Sequence, residues 1–509
     1  MIVRRKFAAA TLALSILALP IAAFAQAPNY APPTSAPAGE PQVVKISQGL
    51  LKGSAAGGVA YHYGIPFAPA PVGDLRWRPP GAPPTWTGER DATKPGASCQ
   101  NVEDCLYLNV VRPANAKPGA KLPVMFWIHG SAFVVGTGIG AFGADTEGTE
   151  FAKKGVIVVS ANHRLGRAGW FAHPALSKEP GLTANYGNMD QIAGLKWVKA
   201  NIAAFGGDPN NVTVFGESAG AMATLNFMIS PQAKGLFSRA VVESGFARNV
   251  PNTLADAEAN GVKLAEAAGV KGTDAGAAAA LRKLPLTALA GARGGVTAPG
   301  RPFPVMDGKL YTESVIQGFV AGHDAKVPLI IGGNSNEASL TRPTAAAFDA
   351  QAADKQAAIL KVFDTAGGGD KAKVINDVVT VQTITEPDRA IARLHAAHGQ
   401  PTWLYYFSYV PAAEKARKPF GAAHTDEVRF VFGQPRAKFA AEDLPLSDAM
   451  NAYWAAFAKT GAPGSAGGPA WPKFDAAKEG QMEFGAAGPK VQQHFLKPWR
   501  DFVEASVAK

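Results

Sequence analysis

The sequence predicts an α/β fold on three observations. Short apolar runs of strand length recur along the chain, helical patterns alternate with them, and one glycine-framed serine stands where a strand-like run gives way to a helical one. The composition is that of a packed protein: of 509 residues, 47% are hydrophobic and 18% charged, which excludes disordered and fibrous architectures. The formal net charge of +10 is scattered, with no run of five basic residues and no interleaved aromatics, so nucleic acid is not an expected partner.

Taken in order, Met1–Ala25 reads as a secretory signal peptide. It has a basic start (Arg4, Arg5, Lys6), an apolar stretch broken by Pro20, and the small-residue site Ala23-Phe24-Ala25. Cleavage before Gln26 would export the mature chain to a periplasm or to the outside. An uncleaved anchor is the competing reading, disfavoured by Pro20 and by the cleavage site. Arg4-Arg5 suits the twin-arginine and general secretory routes equally. No later segment has 18 consecutive apolar residues, so no stable membrane insertion is expected after signal removal. Residues 26–40 are Pro/Ala-rich and read as a flexible leader; 41–509 contain neither a repeat nor a Pro/Ser-rich linker and read as a single domain. In an oxidising compartment Cys99 and Cys105 are expected to pair.

The strand signals are Leu122–Ile128, Val156–Ala161, Val212–Phe215, Arg239–Glu243, Val327–Ile331 and Trp403–Tyr409. Several are apolar on both faces, as strands of a parallel sheet covered by helices must be. Between the second and third, Ile192, Leu195, Trp197, Val198 and Ile202 recur at helical spacing within Asn188–Phe205. Ala-rich helical stretches at about 253–292 and 344–400 interrupt the strand series and are placed to cover a site.

The sharpest local signal is Val212-Thr-Val-Phe-Gly216-Glu217-Ser218-Ala219-Gly220, followed by an apolar helical run. A nucleophile on a tight strand-to-helix turn needs small neighbours, because Cβ atoms on either side would clash; Gly216 and Gly220 supply the room. The Ala219 N–H at the helix start can then face a developing oxyanion. The plainer reading of Ser218 is a helix N-cap.

A serine hydroxyl is a weak nucleophile without a base, and in such sheets the partners follow in the order Ser, acid, His. His424, in the small-residue loop Gly421–Glu427 after a strand, is the best base. His395 and His398 lie on a helix read as exposed, and His494 in the C-terminal tail. Glu337, just beyond the C-terminal end of an apolar strand, is the best acid, with Asp307 and Asp324 as competitors. Further oxyanion donors are expected in His129-Gly130-Ser131-Ala132-Phe133. Glu217 is a possible modulator of His424.

With these residues assembled, the chain resembles the type-B carboxylesterase family, which includes the cholinesterases and bacterial para-nitrobenzyl esterases. Phe205-Gly-Gly-Asp-Pro-Asn-Asn-Val-Thr-Val-Phe-Gly-Glu-Ser218-Ala-Gly220 is similar to its serine signature, and Glu103-Asp-Cys105-Leu-Tyr-Leu-Asn-Val110 to its second signature. The resemblance runs over roughly residues 42–475. It implies an α/β-hydrolase fold, a Ser218–Glu337–His424 triad, an oxyanion hole from Gly130, Ser131, Ala132 and Ala219, a Cys99–Cys105 bond, and hydrolysis of small-molecule carboxylic esters through an acyl-enzyme with no metal or organic cofactor. The chain departs from the family pattern at Ser131-Ala132, where glycine is usual, and at His163, where tyrosine is frequent. A detoxifying role on polycarboxylic or natural-product esters, an amidase and a non-catalytic binding protein are the alternatives.

Overall fold

Strands buried on both faces have no polar side to alternate with, and the runs singled out above behave that way. In the computed structural model, which describes residues 33–100, 102–141, 144–181, 184–289 and 301–507, they form the centre of a thirteen-stranded sheet. Met1–Ala25 and residues 26–32 of the expected leader lie outside the described residues. Twelve strands make the main path: β1 Glu40–Ile46, β2 Gly49–Ala56, β3 Val59–Pro66, β4 Tyr107–Pro113, β5 Leu122–Ile128, β6 Ile157–Ala161, β7 Gly207–Glu217, β8 Arg239–Glu243, β9 Leu329–Asn334, β10 Thr402–Phe407, β11 Gln481–Gly485 and β12 Gly488–Gln492, with Glu89–Asp91 paired to β2. Their spatial order is β1-β2-β3-β4-β6-β5-β7-β8-β9-β10-β11-β12. From β6 to β11 neighbours are parallel; the two flanks are antiparallel.

The two-residue period of each central strand divides its side chains between two cores. Val124, Phe126 and Ile128 of β5, Val212 and Val214 of β7, and Leu329 and Ile331 of β9 enter one core. Met125, Trp127, Phe215 and Ile330 enter the other, with Trp403, Tyr405 and Trp454. The helix α1 (Tyr186–Asn201) lays Met189, Ile192, Leu195 and Val198 on the first core, at the spacing the sequence predicts. The helix α2 (Ala219–Ile229) follows β7 directly.

Two helical insertions stand where the Ala-rich stretches predict them. Between β8 and β9 lie α3 (Leu254–Ala267) and α4 (Ala275–Lys283); between β9 and β10 lie α5 (Lys371–Thr380) and α6 (Glu386–Ala397), joined by a π-helical turn over Val381–Thr385. The last part of the expected leader is attached to the fold: the Ala36 N–H donates to the Thr93 carbonyl at 2.7 Å, and the Ser54 hydroxyl to the Pro37 carbonyl at 2.8 Å. Cys99 and Cys105 form a disulfide. Among the described residues, no helix is long and apolar enough to cross a membrane.

Candidate active site

The parallel strands point their C-terminal ends to one edge, where the loops after β5, β7, β8 and β9 meet. β7 ends at Glu217 and α2 begins at Ala219, so Ser218 alone makes the turn, with φ 55° and ψ −117°. That conformation is unfavourable for a residue with a Cβ, by about 1–3 kcal/mol. It is held by the Ser218 N–H donating to the Glu243 carbonyl at 2.9 Å and by the Met222 N–H donating back to the Ser218 carbonyl at 2.8 Å. The flanking glycines are sterically required: a Cβ on Gly216 would lie 2.6–2.7 Å from the Gly220 and Ile128 backbones, and one on Gly220 would run into the Ile128 carbonyl.

The loop after β5 passes directly over this turn. A Cβ on Gly130 would stand 2.5 Å from Glu217 Oε2 and 3.1 Å from Ser218 Cβ. Ser131, Ala132 and Phe133 all have left-handed backbones, with φ of 73°, 54° and 67°. The departures from glycine at 131 and 132 thus keep a glycine-like path. Gly130, Ser131 and Ala132 donate no backbone hydrogen bond to a described residue, and the Ala219 N–H, first in its helix, has no intrahelical acceptor. Four donors expected at an oxyanion are therefore without an acceptor among the described residues, with Gly130 and Ala219 at the Ser218 turn itself.

Glu337, three residues past the end of β9, is 2% exposed. Its Oε1 accepts from the Ser244 hydroxyl at 2.6 Å and from the Asn334 N–H at 2.7 Å, and its Oε2 lies 2.5 Å from His424 Nδ1. His424 is anchored by its own N–H, which donates to the Ser339 hydroxyl at 2.9 Å. Its Nε2 stands 3.0 Å from Oε1 of Glu217, the residue before Ser218, and no hydrogen bond joins it to the Ser218 hydroxyl. The ring of Phe246 packs on His424 at 5.7 Å.

The structure separates the competing residues from this cluster. Asp307 accepts the N–H groups of Lys309, Leu310 and Tyr311 in a turn. Asp324 contacts His395 at 2.6 Å and His398 at 2.7 Å. His395 corrects the expectation of an exposed helix face: it is fully buried on α6, its Nε2 bonded at 2.8 Å to the Val327 carbonyl. His163 stacks on His129 with centroids 4.3 Å apart, both rings buried. Burial pulls the pKa of His129 down to about 4 and that of His163 well below its ordinary value, so both are neutral.

Three buried acids were not singled out as a set from the sequence. Glu217, Glu243 and Glu427 are fully buried around Glu337. Burial, followed by the charges of Glu427, Glu337 and Glu243, pushes the Glu217 carboxyl well up; Glu427 moves the same way through burial, and Glu243 rises to about 8. Trp454 Nε1 donates to Glu243 at 2.7 Å, and Asn334 Nδ2 donates to Glu427. The spacing of His424 and Glu427, three residues apart after a short turn, was the one sequence signal that could have joined Glu427 to the site.

Comparison with known proteins gives concordant matches. Residues 40–366 and 356–502 match the model of the Carboxylesterase family. Fumonisin B1 esterase of Sphingopyxis macrogoltabida is 35% identical over 89% of this chain and 88% of that protein. Human Cocaine esterase is 33% identical over 88% of each. Among solved structures, a PNB esterase superposes with a TM-score of 0.77 at 30% identity, covering 91% of this chain and 99% of its own. A Geobacillus stearothermophilus carboxylesterase gives 0.76 at 32%, covering 90% and 99%.

Proposed function

This chain belongs to the carboxylesterase family of α/β-hydrolases, serine hydrolases acting on carboxylic esters, and from that premise we propose that Ser218, His424 and Glu337 carry the reaction through an acyl-enzyme. The observation that supports this reading most is the position of His424, with Nδ1 2.5 Å from Glu337 and Nε2 3.0 Å from Glu217, the residue before Ser218. With Nδ1–H donated to Glu337, the Nε2 lone pair needs only to shift from Glu217 to Ser218 Oγ, a contact that often tightens when substrate binds. Ser218 then attacks the ester carbonyl while His424 takes its proton, and the N–H groups of Gly130, Ser131, Ala132 and Ala219 receive the oxyanion. His424 returns the proton to the leaving alcohol and next deprotonates water, which releases the acid. Burial and the neighbouring carboxylates hold the Glu217 carboxyl well above its usual range, which favours its neutral form and weakens its competition with Glu337 for the imidazolium.

A narrower reading is hydrolysis of polycarboxylic or natural-product esters, and Fumonisin B1 esterase is among the relatives of this chain. We further propose that 41–509 act as one domain and that the chain is exported after cleavage at Ala25; intact mass of the exported protein should correspond to a start at Gln26. The reaction is tested with para-nitrophenyl acetate and the mature chain beside Ser218→Ala, His424→Ala and Glu337→Ala. We expect an initial burst of nitrophenol and, for the Ser and His variants, a loss in kcat of roughly a thousandfold or more. A wild type no faster than its variants would overturn the triad and reopen the binding-protein reading.

A further inference from the structure

Arg301 is held against an aromatic ring rather than by a carboxylate. Arg76, Arg164, Arg248 and Arg282 are each gripped by a carboxylate, at 2.6–2.7 Å. Arg301 pairs with no carboxylate among the described residues, and the stretch before it, 290–300, contains no Asp or Glu. Burial alone lowers its pKa, to about 10, so the guanidinium is charged at neutral pH with no counter-charge among the described residues.

Its place relative to the site is fixed by three rings. The guanidinium carbon lies 4.0 Å from the centroid of Phe303, nearer than in any other cation–ring pair of the described residues. Phe303 is buried and meets Phe133 edge to face at 5.6 Å, and Phe133 stacks obliquely on Trp170 at 4.5 Å. Phe133 is the last residue of the left-handed run that follows Gly130, the glycine packed over Ser218. The backbone beyond Phe303 is pinned as well, because Asn185 bonds both the N–H and the carbonyl of Val305. A partly desolvated cation thus stands on a ring that touches the loop of the oxyanion donors. A guanidinium in such a setting matches a carboxylate in two parallel hydrogen bonds, and the aromatic platform fixes its plane.

We propose that Arg301 forms an anion subsite beside the Gly130–Phe133 loop and takes a carboxylate carried by the ester substrate. This deepens the proposed esterase function and rests on it. Esters of dicarboxylic or higher acids with one free acid group are the class it selects, the free group reaching Arg301 while the esterified carbonyl sits at Ser218.

The test compares para-nitrophenyl butyrate with the mono-para-nitrophenyl ester of succinic acid, equal in chain length and different in charge. In the wild type the charged ester should have the higher kcat/KM, with a preference that weakens as salt is added. In Arg301→Met the charged-to-neutral ratio of kcat/KM should fall roughly tenfold to a hundredfold, through KM, the range for loss of a charged hydrogen-bonded contact. Arg301→Lys, which keeps the charge and loses the fork, should retain part of the preference. The same ratio in all three proteins would overturn the anion subsite while leaving the esterase reading intact, since the neutral ester is still cleaved. A wild type that cleaves neither ester would overturn both.

Discussion

At Ser131, Ala132 and Phe133 three side chains occupy left-handed backbone that glycine would adopt freely. Ala132→Gly should therefore raise the unfolding free energy by about 0.5 kcal/mol, the relief of left-handed strain exceeding the added chain entropy, which urea unfolding would measure. Glu243 sets a pH dependence. Its pKa rises on folding from 4.5 to about 8, so the folded state holds a proton that the unfolded state releases. The stabilisation is complete below pH 4.5 and is lost as pH climbs towards 8, with a slope of up to about 1.4 kcal/mol per pH unit. Glu243→Gln, which keeps an acceptor for Trp454, should flatten that decline in denaturant titrations between pH 5 and 8. Ser218 was legible in the sequence because its turn demands glycines at fixed offsets. Glu217, Glu243 and Ser244 gather around Glu337 from the C-terminal ends of β7 and β8, and no local pattern announces such convergence.

Among elements, the parallel strands were readable because burial on both faces writes a continuous apolar run, and β5 and β8 have the predicted limits. β1 to β3 went unassigned: Gly49, Gly53 and the lysines of β1 and β2 break any alternation, and their pairing is set by hairpins rather than by a pattern. The π-helical turn between α5 and α6 was equally silent, yet it serves the site. The Thr380 hydroxyl accepts the Ala338 N–H at 3.1 Å, immediately beside Glu337, and Ile384 fills the space that a Cβ on Gly333 would need. Thr380→Val leaves that buried N–H without an acceptor, a cost of about 1–3 kcal/mol. It should also lower kcat a few-fold at unchanged KM, because Glu337 is less firmly held.

Across the molecule, Arg164 ties three distant segments. Its Nε and Nη2 bond Asp190 of α1 at 2.8 and 2.7 Å, its Nη1 bonds the Arg78 carbonyl at 2.9 Å, and both charged side chains are almost fully buried. Arg164→Met should destabilise the fold by about 3–5 kcal/mol by stranding the Asp190 charge, and adding Asp190→Asn should recover part of that loss in guanidinium unfolding. The alternation of strands and helices made the architecture legible; such ties were not, because they join residues by geometry alone. The two outer strands of the sheet carry a different consequence. Each exposes a row of backbone groups that another chain could extend, yet β1 carries Pro41 and the exposed Lys45, while β12 is five residues long with Pro489 and the exposed Lys490. Missing N–H donors and desolvation of lysine oppose strand addition at both ends, so the protein is guarded against growing into fibrils when it is crowded.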